Sequence, residues 1–414
     1  VGFFFATLLA LLLLAGIGIQ LTITANREAA ATAASSALGV TSSAIATSGT
    51  AQPDPSAGHV LKLLTLFLQY VAILGTLPVP LPRAFLGLTS AASGLFAGGA
   101  AWFTSPFECA WQGATVPVPI AKLLVHLSMP LVVAAVELVV FFTVGKAFGR
   151  RKKQRLPLTV VLLVSAFFTL PGWVQAVFSF FNCYGIQDPS LTASWWWVPH
   201  MAQACYIGYH RTWALALGVP CLILCCAIPV TMFIALWRNR KRLSQRSFCE
   251  SYGHLYCLYR TRAFWWECVV LGQTIVLVAL SVFATQVGAY VVVLLVSVHF
   301  FFALQLLHFF KPYASDVLQW LHVGSLGCLL LDVFVALLMF AQPALPTRTR
   351  DIGIGQIVAA FLAVCVNVAF VFICCILIVR CVFRGPSGNV VRSIVARCRK
   401  GRSDAKPSHT HVPT

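Results

Sequence analysis

Apolar stretches of about 20 residues, nearly free of charge, recur along this chain and are separated by short basic runs. That alternation constrains the fold more than any motif does. A stretch of this length crossing lipid must satisfy every backbone N–H and C=O internally, and within one segment only a helix does so. Hydrophobic residues make up 59% of the 414 and charged residues 10%, with mean hydropathy +0.86. A soluble globular chain does not reach that balance. The sequence therefore predicts an all-α, polytopic integral membrane helix bundle. The net charge of +18 does not indicate nucleic acid, because the basic residues lie between apolar segments rather than along one face.

About nine spans are expected in order: 3–25, 60–81, 120–148, 156–181, 212–237, 264–285, 290–310, 317–340 and 355–383. The first forms a segment over 1–25, followed by an Ala/Ser/Thr-rich linker at 26–59, a bundle over 60–383, and a basic, disordered tail at 384–414. Pro171 predicts a kink in the fourth span. Residues 84–103, broken by Gly87, Gly94, Gly98 and Gly99, read as a re-entrant or interfacial segment. Val1 opens the chain in place of Met, directly in an apolar run, so a longer parent chain is expected.

Orientation follows from the basic residues, since short loops dense in Lys and Arg resist translocation. With the N-terminus outside and the C-terminus cytoplasmic, the inside set takes Arg27, Lys62, the runs at 146–155 and 238–262, Lys311 and 380–406. Only Arg83, Lys122, Arg211, Arg348 and Arg350 remain outside. Each basic residue near an anionic leaflet contributes about 1 kcal/mol, so the runs at 150–155 and 238–246 are also candidate contacts for anionic lipid.

Most of the 15 cysteines lie within apolar stretches and read as small buried hydrophobes. Cys109, Cys183 and Cys205 fall instead in outside loops, where disulfides persist. A Cys183–Cys205 bridge within one loop is the first expectation, with Cys109 pairing to either as the alternative.

Five stretches carry a resemblance. They are LKLLTLFLQYVAILGTLPVPLP at 61–82, SPFECAW at 105–111, and VPHMAQACYIGYHRTWALALGVPCLILCCAIPV at 198–230. SYGHLYCLYRTRAFWWECVV at 251–270 and LHFFKPYASDVLQWLHVGSLG at 307–327 complete the set. Together they resemble the transient-receptor-potential-like (TRP-like) multi-span region of algal and protist surface proteins, and more distantly the fungal TRP-like family. The resemblance spans roughly 60–383 and implies fold and topology, with channel activity as the family's implied function. Pro199 stands before His200 where related sequences often carry an acidic residue, which counts against a cation site there.

Ionisable groups inside spans cost about 2.5–3.5 kcal/mol each on insertion scales, so each calls for a partner, a cavity or neutralisation. His126 and Glu137 share a face of the third span, about 20° apart at 100° per residue. His322, Ser325, Cys328 and Asp332 line one arc of the eighth. Glu137 and Asp332, with His126 and His322, are the candidate ion-pathway residues, because carboxylates supply the hard oxygens that cations prefer. The competing reading is that each group satisfies a neighbouring helix. At the start of the sixth span, Glu267 is expected to pair with Arg260 or Arg262 as an interface clamp or gating element. Trp265 and Trp266 are expected there as aromatic-belt anchors.

No nucleophile elbow, phosphate-binding loop, zinc-type Cys/His spacing or HExxH appears, so neither an enzyme nor a cofactor or metal requirement is expected. The reading is a TRP-like cation channel or channel-related membrane module of a larger surface protein, in the plasma membrane or another secretory-pathway membrane. Lipid, cations and a second copy of the chain are the expected partners. The alternatives are a secondary transporter of a small organic molecule, and a non-conducting anchor or receptor for an extracellular domain.

Overall fold

The structure is a computed structural model that describes residues 2–37, 55–78, 117–147, 158–186, 195–340 and 354–384. Among these residues, eleven α-helices follow in chain order: α1 (Gly2–Ala37), α2 (Ala57–Leu74), α3 (Val118–Ala147), α4 (Leu158–Ser179), α5 (Tyr209–Arg238) and α6 (Arg246–Tyr256). Then come α7 (Trp266–Val282), the single-turn α8 (Ala284–Val287), α9 (Ala289–Phe310), α10 (Asp316–Phe340) and α11 (Ile354–Arg384). Seven of them, α2, α3, α4, α5, α9, α10 and α11, are long and apolar enough to cross a membrane, and α7 is a shorter apolar helix of 17 residues. The chain is a membrane-embedded, all-α polytopic bundle. Its only described strands are the three-residue pair β1 (Cys183–Gly185) and β2 (Trp195–Trp197), antiparallel with Cys183 opposite Trp197.

Some expected boundaries move. Helix α1 runs on to Ala37 and α2 begins at Ala57, so the expected linker at 26–59 is helical at both ends. Ala-rich sequence propagates a helix even when its apolar run has ended. Helix α2 stops at Leu74 rather than continuing to 81. Gly288, at φ 97°, makes the tight turn between α8 and α9. The 84–103 segment, Cys109, the 149–155 basic run and the tail beyond 384 lie outside the described residues.

Helix α2 is the hub, packing against α1, α4, α7, α10 and α11 and burying 83% of its length. In lipid, burial of apolar surface does not drive helices together, so close packing and interhelical hydrogen bonds carry the association. Gly58 illustrates the first. A Cβ there would lie 2.8 Å from the carbonyl oxygen of Leu21, so α1 and α2 cross backbone to backbone only because residue 58 has no side chain. Gln69 illustrates the second. Pro171 cannot donate to the carbonyl of Phe167 one turn earlier in α4, and the Gln69 side-chain amide of α2 donates to that oxygen at 3.0 Å. The Pro171 break is thus repaired by the neighbouring helix, as membrane interiors require. Aromatic contacts fill the hub, with Phe67 of α2 on Phe370 of α11 (4.6 Å between ring centres) and Tyr70 on Phe300 of α9 (5.9 Å).

The bundle has two chemically different ends. One gathers Arg27, Lys62, the exposed Arg238–Arg246 run, Arg260, Arg262 and Lys311, tied by contacts from Asn26 to Glu250 and from Arg260 to Pro312. Arg380 joins them, since Cys381 donates to the Pro55 carbonyl at the start of α2. The opposite end carries the β1–β2 cap, where Asn182 donates to the Val282 carbonyl, and it holds Lys122 and Arg211.

Candidate functional site

At the basic end, a lone lysine in an apolar helix meets a lone glutamate in another. Lys62 Nζ of α2 lies 2.7 Å from Glu267 Oε2 in the first turn of α7, with the two side chains 7% and 2% exposed. The ammonium also donates to the His254 carbonyl of α6 at 2.8 Å and lies 5.6 Å from the centre of the Phe167 ring. Tyr259 donates its hydroxyl to the same Glu267 oxygen at 2.8 Å. Beyond it, the Tyr259 and Tyr313 rings lie 5.3 Å apart, and the Tyr313 hydroxyl is 2.7 Å from His322 Nδ1 on α10. A buried polar chain thus joins α2, α7, the α9–α10 corner and α10.

The backbone holds this chain in register. Residues Tyr259 and Tyr313 form an isolated antiparallel bridge, with Arg260 N–H donating to the Pro312 carbonyl at 2.7 Å and Ala314 N–H donating to the Leu258 carbonyl at 3.2 Å. Burial, reinforced by the neighbouring Glu267 charge, holds the Tyr259 and Tyr313 phenols well above their ordinary range, so both remain proton donors. Burial likewise pushes His254 well below the usual imidazole range, helped by the Lys62 and His59 charges. Its ring stays neutral beside a small crevice lined by Gly18, Thr22, Gly58, Lys62 and Phe167.

This arrangement corrects the sequence expectation for Glu267. Its partner is Lys62, not Arg260 or Arg262. Arg260 donates instead to the Tyr313 carbonyl at 2.9 Å and faces Asp316 at 3.5 Å, while Arg262 is exposed. Trp266 is no belt anchor, because it is 1% exposed and packs on Phe310 with ring centres 5.8 Å apart. Trp265 is half-buried against the same phenylalanine at 5.6 Å. Both rings pack on the C-terminal end of α9.

The two mid-span carboxylates lie on different flanks. Glu137 is buried in α3, which packs on α1 and α4. Its carboxylate occupies space left by Gly16 of α1, where a Cβ would come within 2.9 Å of Oε2. His126, one face with it, is also buried, with Nδ1 2.8 Å from the Lys122 carbonyl. Asp332 is buried in α10, which packs on α2, α9 and α11. Asn367 Nδ2 of α11 donates to Asp332 Oδ1 at 2.7 Å and to its own Ala363 carbonyl at 2.8 Å. Asp332 Oδ2 and Asn367 Oδ1 are left with no hydrogen-bond donor. Among the described residues, no lysine, arginine or histidine pairs with Glu137 or Asp332. The fold therefore does not bring the four pathway candidates together. His322 is engaged by Tyr313, His126 by its own helix, and the two acids stand apart.

At the far end, Cys183 and Cys205 form a disulfide with Cα atoms 6.2 Å apart, the first of the pairings considered. It closes the cap over Trp197, which is 1% exposed, stacks on Phe180 at 5.6 Å and donates its indole N–H to the Ser179 carbonyl at 2.9 Å. His200 is exposed there and 2.8 Å from the Tyr209 hydroxyl.

The sequence marks Lys62 only as an inside charge and does not single out Tyr259, Tyr313 or Asn367. Lys62 and Asn367 had a usable signal, since each is an isolated polar residue inside an apolar run, LKLLTLF and VCVNVAF. The tyrosines had none, because only the tertiary bridge turns them inward. No group of three or more His, Cys, Asp or Glu that could hold a metal ion occurs among the described residues. Comparison of the chain with models of known families, with curated proteins and with solved structures finds no match in any of the three.

Proposed function

We propose that this chain is a cation-handling membrane module, related to TRP-like channels and belonging to a larger surface protein. The observation that carries the reading is the pair of buried carboxylates, Glu137 and Asp332, with no basic partner among the described residues. A carboxylate inside a membrane needs a positive species beside it. Where no side chain supplies the charge, a cation or a proton does. Lys62 and Glu267 neutralise one another, so they belong to the framework that holds α2, α6 and α7 together.

In this reading the chain crosses the bilayer nine times, α1 and α7 included, with its N-terminus outside and its C-terminus cytoplasmic. The basic end faces the anionic leaflet, where the exposed Arg238–Arg246 run contacts lipid headgroups. The disulfide-closed cap then lies in the compartment where disulfides persist. The membrane is that of the cell surface or the secretory pathway.

A second reading, a non-conducting tether for an extracellular domain, draws on the filled centre of the bundle. Phe67, Phe300, Leu277, Leu307, Leu318 and Leu326 are each under 2% exposed there. Recording from the purified chain in planar bilayers separates the two. Cation current reduced by Glu137→Gln or Asp332→Asn supports the proposal. Silent bilayers, or currents that both variants leave unchanged, favour the tether.

A further inference from the structure

One proton, and no metal ion, is what the buried pair at the α10–α11 contact lacks. Asp332 and Asn367 are 2% and 1% exposed, and one hydrogen bond already joins them, from Asn367 Nδ2 to Asp332 Oδ1 at 2.7 Å. The second proton of that amide nitrogen serves the Ala363 carbonyl. Two oxygens remain without a donor, Asp332 Oδ2 and Asn367 Oδ1, one on each partner. Two buried acceptors on hydrogen-bonded partners, each without a donor, are costly, and more so when one is charged.

A carboxylic acid and a primary amide are complementary in a specific way. The amide N–H donates to one carboxyl oxygen, and the acid O–H donates back to the amide oxygen, closing a ring with two hydrogen bonds. The Asn367–Asp332 contact is the first half of that ring. The orphaned atoms are the two that the second half joins, once Oδ2 carries hydrogen, because a protonated carboxyl gains one O–H donor. A single proton thus removes the charge and satisfies both orphans.

A desolvated metal cation fits less well. Calcium takes 6–8 oxygen ligands and magnesium a full octahedron, whereas this site offers two free oxygens. The neighbouring ionisable groups are the Cys328 thiol, one turn earlier on α10, and Cys374 of α11 next to it. Among the described residues, no lysine, arginine or histidine of α2 or α9, which also pack on α10, forms an ion pair with the carboxyl.

We propose that Asp332 and Asn367 form a proton-binding site in the membrane interior, holding one proton as a cyclic acid–amide pair. This deepens the cation-handling reading by naming the proton as the species held at Asp332, and rests on it for any link to transport. Binding itself is tested separately. Infrared difference spectra of the full chain in lipid nanodiscs at neutral pH, wild type against Asp332→Asn, are expected to show the carbonyl band of a protonated carboxyl that the variant loses. In Asn367→Leu the band is expected to move to higher frequency, as the ring opens and the acid carbonyl loses its donor. No such band at neutral pH overturns the proposal, and so does a band that Asn367→Leu leaves unshifted. The Asp332→Asn spectrum decides proton occupancy even if Asn367→Leu does not fold, because an amide at 332 can keep a paired hydrogen bond to Asn367. A cation current without the band sinks the proton site and leaves cation handling standing; the band without any current does the reverse.

Discussion

Removing one member of the Lys62–Glu267 pair strands the other as an uncompensated charge in the bundle interior. Replacing Lys62 with Met deletes the 2.7 Å contact to Glu267 and the 2.8 Å bond to the His254 carbonyl. Glu267, 2% exposed, is then held only by the Tyr259 hydroxyl. Breaking a buried pair from one side costs about 3–5 kcal/mol, and we expect Lys62→Met to fall in that range. Glu267→Gln keeps an acceptor for Tyr259 but leaves the ammonium without a counter-charge, so a similar loss is expected. The double variant removes both charges, retains the Tyr259 bond through the Gln oxygen and fills the lysine channel with an apolar chain of similar length. It is expected to lie within about 2 kcal/mol of wild type, because replacing both members of a buried ion pair is often close to neutral. Unfolding of the four proteins in detergent, followed by tryptophan fluorescence, gives the coupling energy of the cycle. Singles that cost under about 1 kcal/mol, or a double variant as unstable as the sum of the singles, would refute the reasoning.

Three further outcomes follow from the same structure. Gly58→Leu is expected to separate α1 from α2, since even a Cβ would stand 2.8 Å from the Leu21 carbonyl oxygen; loss of the monodisperse peak in size-exclusion chromatography checks it. Non-reducing peptide mapping is expected to recover a Cys183–Cys205 linkage, and the Cys183→Ser/Cys205→Ser variant to lose about 3 kcal/mol, the loop-entropy value for a closure of this size. His254 gives a pH signature: its folded pKa lies below the unfolded value, so its contribution is fully present above about pH 6.5 and declines as pH falls below that. Its slope can reach about 1.4 kcal/mol per pH unit, and His254→Leu is expected to flatten that acid limb in thermal melts taken between about pH 5 and pH 7.

Helix positions were legible in the sequence because length and hydropathy decide them in lipid, whereas the Cys183–Cys205 bridge was only the first of the pairings that the outside cysteines allowed. Pairings across the bundle were not. Glu267 was read against Arg260 and Arg262, its neighbours in sequence, whereas its partner lies 205 positions away on α2. Proximity in sequence fails here because the bridge between Tyr259 and Tyr313 turns Arg260 toward Asp316 and away from α7. The interfacial habit of tryptophan misleads for Trp266, whose ring is buried against Phe310 by the packing of α7 on α9. Asp332 was visible as an isolated acid, while Asn367 gained meaning only once α11 was seen to lie beside α10. Residues whose role depends on which helices touch leave no periodic trace in a single sequence.

The central claim is that the unpaired acids Glu137 and Asp332 hold and pass positive charge. Flux into proteoliposomes, measured with potassium and proton gradients for wild type and the Glu137→Gln/Asp332→Asn variant, tests it most directly. The account predicts cation or proton entry well above that of empty liposomes, lost in the double variant although that protein still elutes as a folded species. Flux equal to empty liposomes, or undiminished in the double variant, would contradict it.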